Sequence, residues 1–357
     1  MTKLLFITQK VDKDSDVLGV YHRWIEELAK RVEKINVICL YRGRVELPGN
    51  VRVFSLGKEK LVKMDRRRLP YGLARIIYIL RFWKYVWRLR KDYDKVFVHM
   101  NPEYVVLAAK FWKLWGKKIF FWYNHPLGGL KARIAIMFSK VVFYTSPSAF
   151  AARYKKARQM PVGIDAEMFR RIPDIQKKKN SILYIGRISP IKYLDVLIDA
   201  ALMLDGENID FTLTIAGAPG KKGEYEYQER IKKQAEPLTR KGKIIFIDSV
   251  SNYKIPAIYN AYEISVNLTP LGSFDKTIIE AMACESLIVT SNNAVAEVLP
   301  QSLCFREKDV SDLARALTGA LQLSDEEKRN YGSQFRAYVI GKHDLDTLVT
   351  KLIKMLG

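Results

Sequence analysis

The chain has 357 residues, 48% of them hydrophobic and 11% aromatic, with three cysteines and a net charge of +22. That is enough chain for two domains with real cores, and too apolar a composition for a disordered polypeptide. No apolar run approaches the roughly 20 residues a membrane-spanning helix needs, and Cys39, Cys284 and Cys304 lack disulfide-framework or metal-site spacing, which favours the cytoplasm.

The charge is uneven along the chain. Residues 1–160 carry 34 Lys and Arg against 12 Asp and Glu, whereas residues 161–357 carry 26 of each sign. The whole excess therefore directs the first half towards something anionic: phospholipid headgroups, a diphosphate-linked substrate or nucleic acid.

In chain order, MTKLLFITQK has too short an apolar core for a signal peptide and reads as a first strand, Leu4 to Thr8. A polar loop follows, in which Asp12, Asp14 and Asp16 invite a calcium reading. That reading fails because the sixth position is Val17 instead of Gly and the twelfth is Arg23 instead of Glu. The pattern turns helical from about 21 to 32, with Trp24, Leu28 and Val32 on one face, and buried strands follow at 35–41 and 51–56. Strand, loop, helix, strand opens a doubly wound α/β sheet, whose ligands sit at the carboxyl ends of strands.

Residues 66–91 contain nine Lys and Arg and no Asp or Glu. Ile76, Leu80, Trp83 and Trp87 fall on one helical stripe, with Arg81, Lys84, Arg88 and Lys91 on the next. Two readings stand: an interfacial helix with its apolar stripe in an anionic membrane, or a domain helix whose Trp stripe packs on the sheet. A second basic and aromatic segment, 109–118, adds weight to the first. Strands at 95–101 and 118–126 place His99 and His125 at carboxyl ends, where a lone His is either structural or ligand-facing. A strand at 140–146, a helix over 148–157, a tight turn at 161–165 and a linker-like stretch at 172–180 complete this half.

A second α/β unit starts with a strand at 181–185 that ends at Gly186, followed by a helix from near Tyr193. Arg187 and Lys192 lie between them, and two cations at a helix N-terminus suit a diphosphate; the plain alternative is two surface cations. The strand within 211–220 ends in a glycine loop containing Gly217, and strands follow at 243–250 and 263–270. The stretch GSFDKTIIEAMACESLIVT (272–290) then runs from a polar entry (Gly272, Ser273, Asp275, Lys276) into helix formers from Thr277 to Glu285. Glu280 stands one turn inside, among apolar residues, and is either a ribose-accepting carboxylate or a surface Glu. Helices over 310–323, 325–338 and about 345–356 close the chain.

Those residues carry a resemblance. "LYIGRISPIKYLDVLIDA", "IYNAYEISVNLTPLGSFDKTIIEAMACESLIVTSN" and "PVGIDAEMF" resemble the donor-nucleotide half of retaining glycosyltransferases of family 4. The match is good over roughly 160–300; before that it rests on element order, the loop around Gly19 and "WYNHP". The resemblance implies two Rossmann-like doubly wound domains facing each other across a cleft, the GT-B architecture. Residues 1–170 would be a basic acceptor-binding domain, 171–335 the nucleotide-sugar domain, and 336–357 a terminal helix able to pack on the first. It implies that Arg187 and Lys192 hold the donor diphosphate, Glu280 takes ribose hydroxyls and Val250 flanks the base. Gly186, Gly217, Ser273, Phe274, Asp275, Lys276 and Thr277 would complete the donor site. His125 would stand near the donor sugar as a third catalytic residue, with Gly19, His99 and Asn124 on the acceptor side. Three departures stand out: Gly272 replaces a Glu that ordinarily contacts the sugar, Ser273-Phe274-Asp275 replaces Gly-Phe-Gly, and Gly19 lacks a second Gly beside it.

The activity so implied is retaining transfer from a nucleoside-diphosphate sugar to an acceptor hydroxyl. It needs no cofactor and no metal, and the sugar nucleotide is a substrate. The basic segment 66–91 suggests a glycan or lipid-linked acceptor and a peripheral place on the cytoplasmic face of an anionic membrane. The rivals are a soluble transferase making a small glycoside, a nucleotide-sugar epimerase on the same scaffold, and a nucleic-acid binder. The last has only charge behind it, with no recognisable DNA- or RNA-binding motif.

Overall fold

The computed structural model describes residues 2–15, 18–63, 71–270 and 274–357, and the chain divides into two compact units: Met1–Gly163 with Leu345–Gly357, and Ile164–Asp344. In the N-terminal unit the elements are β1 (Lys3–Val11), α1 (Val20–Ala29), β2 (Lys34–Arg42), β3 (Val51–Ser55), α2 (Lys58–Lys63), α3 (Tyr71–Arg88) and β4 (Lys95–His99). They continue with α4 (Pro102–Leu114), β5 (Lys118–Trp122), α5 (Leu130–Phe138), β6 (Val141–Tyr144) and β7 (Ala157–Gln159). The strands form one parallel sheet, ordered β3-β2-β1-β4-β5-β6-β7. Near-continuous apolar runs such as Leu4–Ile7 and Val96–Val98 are what a sheet buried on both faces requires. Ile7, Phe82, Val86, Trp112 and Phe121 form the core on one face. On the other, Phe6, Trp24, Leu28 and Phe97 pack with Leu348 and Leu352 of the chain's last helix, Leu345–Leu356.

One expectation for this unit changes, and one of two alternatives falls. The helix expected over 148–157 is only a single 3-10 turn, Phe150–Arg153; the chain then straightens to pair with β6, Val142 opposite Ala157, so sheet pairing overrides local helix propensity. The Trp stripe of α3 does not pack on the sheet. Phe82, Val86 and Leu89 do, and this turns Ile76, Leu80, Trp83 and Trp87 outward. Residues 66–70 of the basic segment, and Asp16 and Val17 of the first loop, lie outside the described residues.

The C-terminal unit comprises β8 (Lys178–Ile185), α6 (Leu194–Gly206), β9 (Thr212–Ala216), α7 (Glu224–Arg240), β10 (Ile244–Ile247), α8 (Ile255–Ala261) and β11 (Tyr262–Asn267). It ends with α9 (Lys276–Ala283), β12 (Leu287–Thr290), α10 (Val310–Gln322) and α11 (Asp325–Lys342). Its sheet is parallel throughout, ordered β10-β9-β8-β11-β12. Strand order reverses at β8/β11 here and at β1/β4 in the first unit. Such switch points open crevices at the carboxyl ends of the strands. Among the described residues, no helix is long and apolar enough to cross a membrane.

Candidate active site

At the switch point of the C-terminal unit, the loops leaving β8 and β11 meet. Gly186 follows β8, and Gly217, just after β9, passes so close that a Cβ there would lie 1.9 Å from the Gly186 carbonyl oxygen. Only glycine allows that approach. The chain then makes a 3-10 turn, Pro190–Lys192, and enters α6 through Tyr193, held at φ 46° and ψ 45°. A left-handed tyrosine costs on the order of 1 kcal/mol, which the surrounding packing must sustain.

That turn delivers Lys192 to the end of β11. Its Nζ donates to Thr269 Oγ1 at 2.7 Å and pairs with Asp275 Oδ2. Thr269 Oγ1 also donates to Asp275 Oδ2 at 2.6 Å, and Thr277 N donates to Asp275 Oδ1 at 3.1 Å, so Asp275 is the N-cap of α9. Burial pushes the Asp275 carboxyl up, but Lys192, Thr269 and the Thr277 amide outweigh it and hold it well below the ordinary carboxylate range. Asn267 completes the frame: its Oδ1 accepts from Thr269 N and its Nδ2 donates to Thr277 Oγ1, each at 2.9 Å.

One turn into α9, Glu280 is only 1% exposed, so the surface-residue reading of this position falls. Tyr259 OH donates to its Oε2 at 3.5 Å, while Oε1 lies 3.3 Å from Lys276 Nζ without hydrogen-bond geometry. Burial pushes the Glu280 carboxyl up, with Lys276 opposing. A buried carboxylate oxygen without a hydrogen bond is an unfavourable arrangement that a hydroxyl-bearing ligand would relieve.

Arg187 follows Gly186 directly in the loop after β8. Its Nε is 3.5 Å from Glu224 Oε1, and Glu224 also accepts from Ser189 Oγ at 2.9 Å and from Gly220 N at 2.7 Å. One carboxylate at the start of α7 thus ties Arg187 to the glycine loop after β9. Phe274 rests against His343, with ring centroids 5.4 Å apart. Val250 is half-buried in the loop after β10, where Asn252 keeps a buried Oδ1 without a partner. Gly272 and Ser273 lie outside the described residues.

The four N-terminal residues singled out from the sequence occupy their own unit. His99 closes β4 at the β1/β4 switch point, with Nδ1 3.5 Å from Thr8 Oγ1 and the ring 4.0 Å from that of Tyr21, beside Trp24 and Trp122. Burial pushes its pKa down to about 3, which keeps the imidazole neutral. His125 is exposed after β5, its Nδ1 3.0 Å from both the amide and the carbonyl of Leu127. The Asn124 carboxamide oxygen is committed to the backbone, accepting from Thr145 N at 2.9 Å and Ser146 N at 2.8 Å. Gly19 caps α1.

Sequence reasoning missed Glu224, Thr269, Tyr259 and Asn252. Thr269 and Asn267 left a signal, as polar residues at and just beyond the carboxyl end of a buried strand. Glu224 left none, being 37 residues from its partner Arg187.

Residues 165–337 match the family described as glycosyl transferases group 1. A D-inositol 3-phosphate glycosyltransferase of Salinispora tropica is 28% identical over 126 residues, 34% of this chain and 26% of that protein. Its counterpart in Mycolicibacterium smegmatis is 22% identical over 208 residues, 55% of this chain and 46% of that protein. The chain thus spans between a quarter and a half of the length of these curated relatives. Among solved structures, a sucrose-phosphate synthase from Thermosynechococcus elongatus superposes with a TM-score of 0.78 at 16% identity, covering 99% of this chain and 98% of that one.

Proposed function

We propose, from the GT-B fold and the match of residues 165–337 to the family described as glycosyl transferases group 1, that the chain is a retaining, metal-independent glycosyltransferase. It takes its sugar from a nucleoside diphosphate and gives it to an acceptor hydroxyl.

The observation that carries this reading is the meeting of Lys192 with the N-terminus of α9, one turn from the buried, incompletely bonded carboxylate of Glu280. Cleavage of the glycosyl bond leaves charge on the diphosphate. Lys192, Arg187 and the positive end of the α9 dipole meet that charge where it develops, in a desolvated setting where such contacts count most. The departing diphosphate itself takes the acceptor's proton, so no carboxylate is assigned as general base. The resemblance assigns His125 to the donor sugar, and Gly19, His99 and Asn124 to the acceptor side.

The acceptor is a glycan or a lipid-linked molecule at an anionic membrane surface. The outward stripe of α3 supports this, since Trp83 and Trp87 are 41% and 56% exposed and Lys84, Arg88 and Lys91 are exposed beside them. Phe111 and Leu114 of α4 are also exposed.

A thermal-shift screen of nucleoside diphosphates tests the donor site, because a ligand that binds only the folded chain raises its apparent stability. One nucleotide should raise the melting temperature of the wild type and leave Arg187→Ala and Glu280→Ala unmoved. Folded protein that responds to none would overturn the reading.

A further inference from the structure

Lys276 has no assigned part in the frame around Lys192 and Asp275. It stands in the first turn of α9, with its side chain 25% exposed and aimed along the helix at Glu280. Lys276 Nζ and Glu280 Oε1 lie 3.3 Å apart, and each is a buried polar atom without a hydrogen bond. Charge joins them, while their remaining donor and acceptor capacity is unused. A native interior rarely leaves two such atoms side by side.

We propose that Lys276 is a specificity residue of the nucleotide site, forming with Glu280 a paired ammonium and carboxylate that cradles the vicinal diol of a ribonucleotide. This rests on the donor-site reading given above. A ribose hydroxyl is at once donor and acceptor: its O–H donates to Glu280 Oε1 while its oxygen accepts from Lys276 Nζ. The 2′-deoxy sugar loses one hydroxyl and leaves one of the two charged atoms unsatisfied. Sites built to bond a hydroxyl reject analogues lacking it for that reason.

Lys276 also keeps Glu280 able to accept. Burial drives this carboxyl towards its neutral form, and the groups around it divide. Asp275 before the helix pushes it further the same way, Tyr259 of α8 donates to Oε2 and opposes, and burial keeps the Cys284 thiol at the helix end neutral. On the α11 side, Arg336 is committed to the carbonyls of Ala283 and Phe169, and Lys177 to that of Glu285. Lys276 is therefore the cation placed at the carboxylate itself.

The test is calorimetric titration with UDP, GDP, ADP and CDP, then with the 2′-deoxy form of the nucleotide that binds, at several pH values from 6 to 8. Wild-type protein should prefer the ribonucleotide by about tenfold or more, with little pH dependence. Lys276→Met should lose that preference, and its affinity should be more sensitive to acid than that of the wild type, because nothing then opposes the protonation of buried Glu280. Lys276→Arg, which keeps the charge, should retain both properties, and circular dichroism checks that each variant is folded. A folded Lys276→Met that keeps the ribose preference and a flat pH profile overturns the assignment while leaving the donor site intact. Failure of the wild type to bind any of the four nucleotides overturns the donor site as well.

Discussion

Lys192 and Asp275, 83 residues apart in sequence, form a partly buried ion pair where the strand order of the C-terminal sheet reverses. Asp275 is also the N-cap of α9, so one carboxylate fixes both the cation and the helix terminus facing it. The pair joins two loops that a diphosphate would otherwise have to organise on binding, which is preorganisation in the sense that matters for catalysis. In place of the glycine usual in the resembling family, Asp275 provides an anchor for Lys192.

Asp275→Asn should destabilise the protein by about 2 kcal/mol at neutral pH, because it leaves the partly buried Lys192 beside a neutral amide. The direction of pH dependence follows from the depressed carboxyl pKa. A group held below its unfolded value contributes stability above that value, near 4, and loses it as pH falls towards the folded pKa. The gap between wild type and variant, measured by urea denaturation, should be full at pH 7 and shrink below about pH 4. A gap unchanged below pH 4 would mean that the carboxylate's charge is not what stabilises this junction, since Asn caps a helix as well as Asp does.

Arg187→Ala and Lys192→Ala should each lower kcat/KM by roughly 10²–10³, the usual loss when one donor to a developing anion is removed. Glu224→Gln should reproduce part of the Arg187 defect without touching that residue. It keeps shape but loses the charge 3.5 Å from Arg187 Nε and weakens the bonds from Ser189 and Gly220. The measurement is transfer from the sugar of whichever nucleotide stabilises the wild type. Unchanged kinetics in Glu224→Gln would show that Arg187 needs no such tether.

Much of the C-terminal site could be read from the chain, because its pieces are local. Gly186, Arg187 and Lys192 sit within one strand-to-helix turn, and Asp275 to Glu280 within one helix start, so spacing alone brings each group together. The strand runs were equally plain, since parallel strands buried on both faces are apolar throughout. What stayed hidden is the pairing between segments. No local pattern says that Lys192 meets Thr269, that Glu224 holds Arg187, or that Asn124 ties two backbone amides after β6. The stripe of α3 shows the same limit: periodicity identified a face carrying Trp83 and Trp87, but an equally apolar face, Phe82 and Val86, took the core.

His99 should make the N-terminal unit acid-labile. Burial among Tyr21, Trp24 and Trp122 pushes its pKa down to about 3, against about 6.5 in an unfolded chain. A base whose folded pKa is depressed contributes stability above the unfolded value and loses it as pH falls between the two. Wild-type stability should therefore decline from about pH 6.5 downwards. His99→Phe should flatten that decline, at the cost of the contact with Thr8 Oγ1. An equally steep decline in the variant would assign the lability to other groups.

The outward face of α3 separates membrane binding from folding. Trp87 is more than half exposed, stacked edge-on against Trp115 at 5.4 Å and covered on one side by the Arg90 guanidinium, so its removal opens no core cavity. Trp87→Ser should leave the melting temperature within a degree or two, yet lower flotation with vesicles containing anionic lipid about tenfold, because a buried aromatic stripe supplies the apolar part of interfacial affinity. Lys84→Glu with Arg88→Glu should abolish flotation at low salt, since each basic residue near an anionic surface contributes about 1 kcal/mol and reversal turns attraction into repulsion. The Trp87 defect should persist in salt, whereas charge effects fade as the Debye length shortens. Equal recovery of wild type and both variants with neutral and anionic vesicles would sink the membrane-surface assignment.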